Sequence, residues 1–363
     1  MNSWLKLFDA SASCDNWKPV IDLRSVKEAD GSKVPPLSVF GVIHRMKVRT
    51  LLIFIGFLLL PILLGVSSQA DATPASVRWR NSQLRSTPQG PTPSPWPALE
   101  WGRLRLRSNY ALVMDQMSRE PIYAKNPGAV TPIASITKLM TAMVVLDARL
   151  PPDELITVTQ DDVDTLRGSA SRLPVGWTLS RGDLLHLALM ASENRAASAL
   201  ARTYPGGTRA FVDAMNQKAR SLGLANTSFQ DSTGLHSGNV STALDLAKLV
   251  CSAYSYPAIR EMTTSPKYEV RSRRSGRMRI FGNSNRLIHN RMWDIGLSKT
   301  GYITDAGFCL VMQTEILGRP VVIVLLDSAE KYSRIGDAMR IRNWIQAGSR
   351  PGLLGHPPHP TSD

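Results

Sequence analysis

One helix-length run limits what this chain can become. Residues Pro132 to Ala148, P-I-A-S-I-T-K-L-M-T-A-M-V-V-L-D-A, place Leu139, Met140, Met143, Val144 and Leu146 around most of a helical circumference. Such a segment reads as a buried central helix, not an amphipathic surface one. Lys138 is then an anomaly, and Ser135 stands three residues before it. A spacing of three brings two helical side chains onto one face, one turn apart. Burial disfavours the ammonium form and lowers a lysine pKa, so Lys138 can accept the proton of Ser135 and turn it into a nucleophile. The bland reading is a lysine that snorkels to the surface. Ser-x-x-Lys arises by chance roughly once in a chain this long, and Ser3 to Lys6 also matches. The spacing alone decides little.

At 363 residues, 43% hydrophobic and 20% charged, the chain can bury a sizeable core in one large domain or two modest ones. A net charge of +14 raises anionic partners: nucleic acid, a membrane surface or an acidic polymer. Neither an RNA-binding aromatic signature nor zinc-finger spacing nor a phosphate loop is present, which argues against nucleic acid. Cys14, Cys251 and Cys309 form no ligand cluster and require neither metal nor disulfide.

Residues 1–45 are polar and patternless, and precede Met46. Lys47 and Arg49 then lead into the apolar run Leu51 to Val66, with small residues after it. Residues 46–72 read as a secretory signal peptide, and 1–45 as a leader upstream of the true start. The run is short for a membrane span and is interrupted by Pro61. Residues 73–105, rich in Pro, Ser, Thr and Arg, read as an extended linker, 106–347 as the main folded domain and 348–363 as a flexible tail.

Within 106–347, Tyr110 to Met114 and Pro121 to Ala124 are expected to form a hairpin ahead of the buried helix. Asp153 to Asp164 reads as a strand or loop covering one edge, and Arg167 to Leu179 as loop. Ser180 with Asp183 three residues on is a helix start, opening a second buried helix that ends at Ala191 to Asn194. Helical periodicity continues to Arg202, over Phe211 to Leu222 and over Thr242 to Tyr254, and changes to strand after Arg260. Gly307 to Leu317 and Pro320 to Leu326 are β-rich runs around a turn, and Ser333 to Gln346 is a closing helix. The expected class is α+β, one antiparallel sheet flanked by helices.

Two further short motifs follow Ser135-Ile136-Thr137-Lys138 in order: Ser192-Glu193-Asn194 and Lys299-Thr300-Gly301. Ser237-Gly238-Asn239 matches the second pattern too, but Ser192 terminates a buried helix that would fix its hydroxyl. Lys-Thr-Gly occurs once, at the end of an expected strand, where Gly301 allows a ligand backbone to approach. Ser-x-x-Lys, Ser-x-Asn and Lys-Thr-Gly in this order are the signature of penicillin-binding proteins and serine β-lactamases. With P-I-A-S-I-T-K-L-M-T-A, A-S-E-N-R-A-A and S-K-T-G-Y-I-T-D-A-G-F-C-L-V-M, residues 106 to 347 resemble the low-molecular-mass penicillin-binding proteins, D-alanyl-D-alanine peptidases of serine peptidase family S11. The resemblance is strongest to their D-Ala-D-Ala endopeptidase branch, the penicillin-binding protein 7 type.

The resemblance implies the β-lactamase/DD-peptidase (penicilloyl-transferase) fold and a periplasmic enzyme acting on peptidoglycan stem peptides and cross-links, with β-lactam antibiotics as covalent inhibitors. It implies no metal, no other cofactor and no nucleic acid. Carried over, Ser135 is the nucleophile, Lys138 its base and Ser192 a proton relay to the leaving amine. Asn194 holds the substrate amide, Lys299 and Thr300 the substrate carboxylate, Gly301 lets the substrate backbone approach, and the backbone N–H groups of Ser135 and Tyr302 form the oxyanion hole. The membrane-bound carboxypeptidases of this group carry a second β-rich domain and an amphipathic terminal helix, whereas this sequence stops soon after the catalytic domain, so no stable membrane anchor is expected after processing. β-Lactamases use a loop glutamate for deacylation, and Ala225 to Ala243 contains none. A D-Ala-D-Ala carboxypeptidase would use the same residues, and a catalytically silent peptidoglycan binder remains the reading from a different class.

Overall fold

The structure is a computed structural model that describes Trp96 and residues 104–348. The expected leader, signal peptide, tail and most of the linker lie outside the described residues, as does Cys14. The described elements are β1 (Tyr110–Asp115), β2 (Pro121–Lys125), β3 (Thr131–Pro132), α1 (Lys138–Asp147), β4 (Leu155–Thr157), β5 (Thr178–Ser180), α2 (Arg181–His186), α3 (Asn194–Arg202) and α4 (Gly207–Ser221). They continue with β6 (Val240–Ser241), α5 (Ala243–Tyr254), α6 (Pro257–Thr264), β7 (Lys267–Arg271), β8 (Met278–Gly282), β9 (Asp294–Ile303), β10 (Gly307–Ile316), β11 (Arg319–Ser328) and α7 (Ser333–Gly348).

A five-stranded antiparallel sheet of order β2-β1-β11-β10-β9 forms the middle layer. Its inner strands are almost unbroken apolar runs because both faces are covered. Strand alternation sends Val322, Val324 and Leu326 of β11 into one core, shared with the helices that carry Leu139, Met143 and Leu249. Val321, Ile323 and Leu325 enter a second core beneath Ala338, Ile341 and Ile345 of α7. Helices on both faces of one antiparallel sheet are the α+β arrangement expected. The tight β10–β11 connection has positive φ at Leu317 (55°) and Gly318 (71°), the combination of a type I′ hairpin turn, whose twist matches that of the strands.

The expected hairpin of β1 and β2 forms, and Ser180 caps α2 in a reciprocal box with Asp183. Three local expectations need correction. The helix read from Pro132 begins only at Lys138: Thr131–Pro132 pairs with β6, and Ala134–Thr137 is a 3-10 turn. The 153–164 stretch, read as a strand or loop, does supply a strand, but Leu155–Thr157 pairs with β5 in a separate two-stranded sheet and not with the main sheet. After Arg260 the chain stays helical to Thr264 and then forms the β7–β8 hairpin. Among the described residues, no helix is long and apolar enough to cross a membrane.

Candidate active site

The first motif lies on a kinked entry into α1. In a 3-10 turn residues three apart eclipse one another, which places Ser135 under Lys138 more directly than an α-helix does. Ala134 takes a positive φ of 48°, a strained conformation for a residue with a side chain. The loop between α4 and α5 holds it there. Ile133 N–H donates to Asn239 O at 3.0 Å, Asn239 Nδ2 to Thr137 Oγ1 at 3.0 Å, and Thr141 Oγ1 to Ser232 O at 2.7 Å. Gly234, at φ 82°, lies so close that a Cβ there would stand 2.0 Å from Ala134 O.

Lys138 is fully buried, and its Nζ has three neighbours: Ser135 Oγ at 2.8 Å, Asn194 Oδ1 at 2.7 Å and Thr233 O at 2.5 Å. Burial lowers its pKa from 10.5 to about 7, against the raising influence of Asp231 and Glu193. Asn194 is oriented by a second bond, Nδ2 donating to Ser169 Oγ at 2.9 Å. In the neutral amine, the two N–H groups match the two acceptor-only oxygens, Asn194 Oδ1 and Thr233 O. The lone pair is left for the Ser135 hydroxyl.

The second motif follows a π-helical turn, Leu187–Ala191, that ends with Ser192 in the left-handed region at φ 61°, ψ 31°. Its hydroxyl accepts from Lys299 Nζ at 2.8 Å. Lys299 is 1% exposed, and its pKa falls well below 10.5 through burial, then through the charges of Lys138 and Arg334. Ser192 thus stands beside one buried lysine and Ser135 beside the other. The competing Ser237-Gly238-Asn239 has a different place, with the Asn239 amide bracing the 3-10 turn.

Lys299-Thr300-Gly301 lies within β9, the edge strand, which continues to Ile303. Thr300 Oγ1 donates to Ser284 Oγ at 2.8 Å. A Cβ on Gly301 would come within 3.0 Å of Ser135 N and of Ala134 Cβ. The close approach that demands this glycine is therefore that of the serine-bearing turn, where the sequence suggested a ligand. Tyr302 is 53% exposed and stacks on Phe308, ring centroids 4.1 Å apart.

Several members of the site carried no sequence signal. Thr233 contributes only a carbonyl, Ser169 and Ser284 lie in loops, and Arg334 comes from the last helix. The Arg334 Nη1 donates to Gly301 O at 2.7 Å and Cys309 O at 2.8 Å. Asp231 could have been read, since aspartate before Thr-Gly favours a side-chain-closed turn. Its carboxylate accepts from the backbone N–H groups of Thr233, Gly234 and His236 at 2.6 to 2.8 Å.

The sequence and the fold have known counterparts. The sequence profile of peptidase family S11, described as D-alanyl-D-alanine carboxypeptidase, matches residues 99–330. A D-alanyl-D-alanine endopeptidase of Pseudomonas aeruginosa is 49% identical over 243 residues, 67% of this chain and 78% of that protein. One of Escherichia coli is 46% identical over the same shares. Among solved structures, the Streptomyces K15 DD-transpeptidase superposes with a TM-score of 0.62 at 29% identity, covering 67% of this chain and 98% of that one. Penicillin-binding protein D2 of Listeria monocytogenes, in its cefotaxime-bound form, gives 0.59 at 30% identity, covering 67% and 98%. This chain belongs to peptidase family S11, the D-alanyl-D-alanine carboxypeptidase family.

Proposed function

We propose that the protein is a serine D-alanyl-D-alanine endopeptidase that opens D-Ala to diaminopimelate cross-links in peptidoglycan, exported to the periplasm by the signal at 46–72. The observation that carries the chemistry is the Lys138 amine, buried, lowered to about pH 7 and held 2.8 Å from Ser135 Oγ by two acceptor-only oxygens. Ser135 Oγ attacks the D-Ala carbonyl and its proton passes to Lys138 Nζ. The backbone N–H groups of Ser135 and Tyr302 take the developing oxyanion. Ser192, beside Lys299, relays a proton to the leaving amine, which departs as the freed diaminopimelate end. Water then cleaves the Ser135 ester and restores the hydroxyl. Asn194 holds the substrate amide, and Lys299, Thr300 and Arg334 supply hydroxyl and positive field for the substrate carboxylate. The endopeptidase assignment is supported by the relatives at 49% and 46% identity.

The test is product analysis on two purified substrates, cross-linked muropeptide dimers and pentapeptide monomers. Conversion of dimers to tetrapeptide monomers, abolished with penicillin labelling in Ser135→Ala, is the expected result. Release of D-alanine from pentapeptides with dimers left intact would replace the proposal by a carboxypeptidase. Labelling that survives Ser135→Ala would remove the nucleophile assignment.

A further inference from the structure

The β7–β8 hairpin is absent from the chemistry above, yet it carries the densest charge of the domain. Arg271, Arg273, Arg274, Arg277 and Arg279 fall within nine residues, and all five are exposed. Some arginines elsewhere find carboxylates, among them Arg167 with Asp305, Arg181 with Glu154, Arg202 with Asp162 and Arg319 with Asp115, and others, such as Arg195 and Arg334, bond backbone carbonyls. None of the five forms an ion pair within the described residues. Like charges this close repel one another and weaken the compact state, so the hairpin holds a cost that no paired carboxylate among the described residues offsets. Acids near it include Glu269 on β7, Glu261, whose charge acts on Tyr268 of β7, and Asp153 and Asp183, which share with Arg273 the lining of a cavity of about 530 Å³. Arg273 belongs to that cavity; the other four do not line it.

Two of the four are held in place. Arg271 Nη1 donates to Gly276 O at 3.2 Å, and its Nη2 meets Met278 Sδ at 3.6 Å. Arg279 donates to Arg172 O and lies over the Trp177 ring at 5.7 Å. Arg172 in turn covers the Phe281 ring at 4.6 Å, and its N–H donates to Glu193, the neighbour of Ser192. The arginine surface is thus fastened to the rim of the active site. Met278 and Ile280, 50% and 53% exposed, stand on the outer face of β8 beside it.

We propose that this hairpin is a second docking site for the cell-wall polymer, taking carboxylates of a stem peptide next to the one being cleaved, with Met278 and Ile280 against its apolar groups. The proposal rests on the endopeptidase reading and names how the polymer is engaged. Guanidinium forks match carboxylates in two-point contacts. A polymer held there raises the effective concentration of its own cross-links at Ser135.

The experiment compares the purified chain with R271Q/R274Q/R277Q. Cosedimentation with isolated peptidoglycan sacculi is measured at low and high salt, beside penicillin acylation of Ser135. Each exposed pair contributes a few-fold at most, so the triple variant should lose about 5- to 30-fold in sacculus binding and most of its salt dependence. Its acylation rate should match the parent. Parent-like sacculus binding by the variant overturns the proposal. So does preferential, arginine-dependent binding of the parent to anionic phospholipid vesicles, which would make the surface a lipid site. Failure of the parent itself to acylate would instead overturn the enzymatic reading, so the two failures are distinguishable.

Discussion

On the proposed mechanism, an amine that loses its proton near neutrality decides the pH at which Ser135 becomes reactive. Lys138 is charged below about pH 7 and neutral above it. Acylation should fall about tenfold per pH unit below 7 and level off above, because only the neutral amine accepts a proton. The check is the second-order rate of penicillin labelling from pH 5 to 9; a flat profile would contradict it. Lys138→Arg, which keeps its charge, should lower acylation by a factor on the order of 10⁴. The same burial sets a stability trend. Between about pH 7 and the ordinary 10.5, the unfolded chain binds a proton at this position and the folded chain does not. Stability therefore rises with pH across that window and is lost as pH falls to 7. Lys299, lowered in the same direction, adds to it. Motif spacing made these residues legible, since each is a chemically distinctive side chain at a fixed offset. Thr233 and Ser169 were not, because a carbonyl belongs to every residue and a loop serine is common.

At the scale of elements, the site is an agreement among loops, and one side chain joins three of them. Arg167 Nε donates to Leu235 O at 2.5 Å and Nη2 to Asp305 at 2.5 Å. Each loop joined carries a group at the centre. Ser169, two residues from Arg167, orients Asn194; Thr233, two residues before Leu235, holds Lys138; Tyr302, near the end of β9, is three residues before Asp305 of the β9–β10 connection. Asp305 is 48% exposed, so the ion pair adds little stability. Its worth is positional. Arg167→Gln should leave the melting temperature unchanged and slow acylation on the order of tenfold, as small misplacements of reacting groups do. Asp305→Asn should cost less, because the Leu235 arm remains, and the double variant should be no worse than Arg167→Gln. Parent-rate acylation in Arg167→Gln would show the strap to be ornamental. The elements best read from sequence were those whose pattern and punctuation agreed: β10 and β11 around Leu317-Gly318, α2 behind its Ser180–Asp183 box, and α5 behind Thr242, which accepts from Asp245 N. The β7–β8 hairpin escaped because only Val270 and Phe281 of its strand residues are buried, too few for a period-two signal. The 3-10 turn at Ala134–Thr137 escaped because its strain is imposed from outside, by Asn239 and Gly234.

Across the whole molecule, Ser135 sits where the helical layer meets the edge of the sheet, its turn packed against Gly301 of β9 while Lys138 opens α1. Whether a penicilloyl group, as distinct from a peptide acyl group, is released quickly depends on a carboxylate free to activate water, as the loop glutamate of β-lactamases does. In the span 225–243 the sole acid is Asp231. Its oxygens accept from three backbone N–H groups, from Thr233 Oγ1 at 3.1 Å and from Asn239 Nδ2 at 3.2 Å. Glu193, next to Ser192, is likewise occupied by Ser171 Oγ at 2.5 Å and Arg172 N at 3.2 Å. Freeing either carboxylate would break a buried network, which costs about 1–3 kcal/mol for each group left unsatisfied. Both carboxylates are already committed to holding their own loops. Penicillin should therefore acylate Ser135 and remain, giving a protein heavier by one intact antibiotic for hours in mass spectrometry. Asp231→Asn, which removes acceptor capacity beneath Thr233 and Gly234, should slow acylation without hastening loss of the adduct. Return of the parent protein to its native mass within minutes, with hydrolysed antibiotic accumulating, would mean that a base for water exists on this seam.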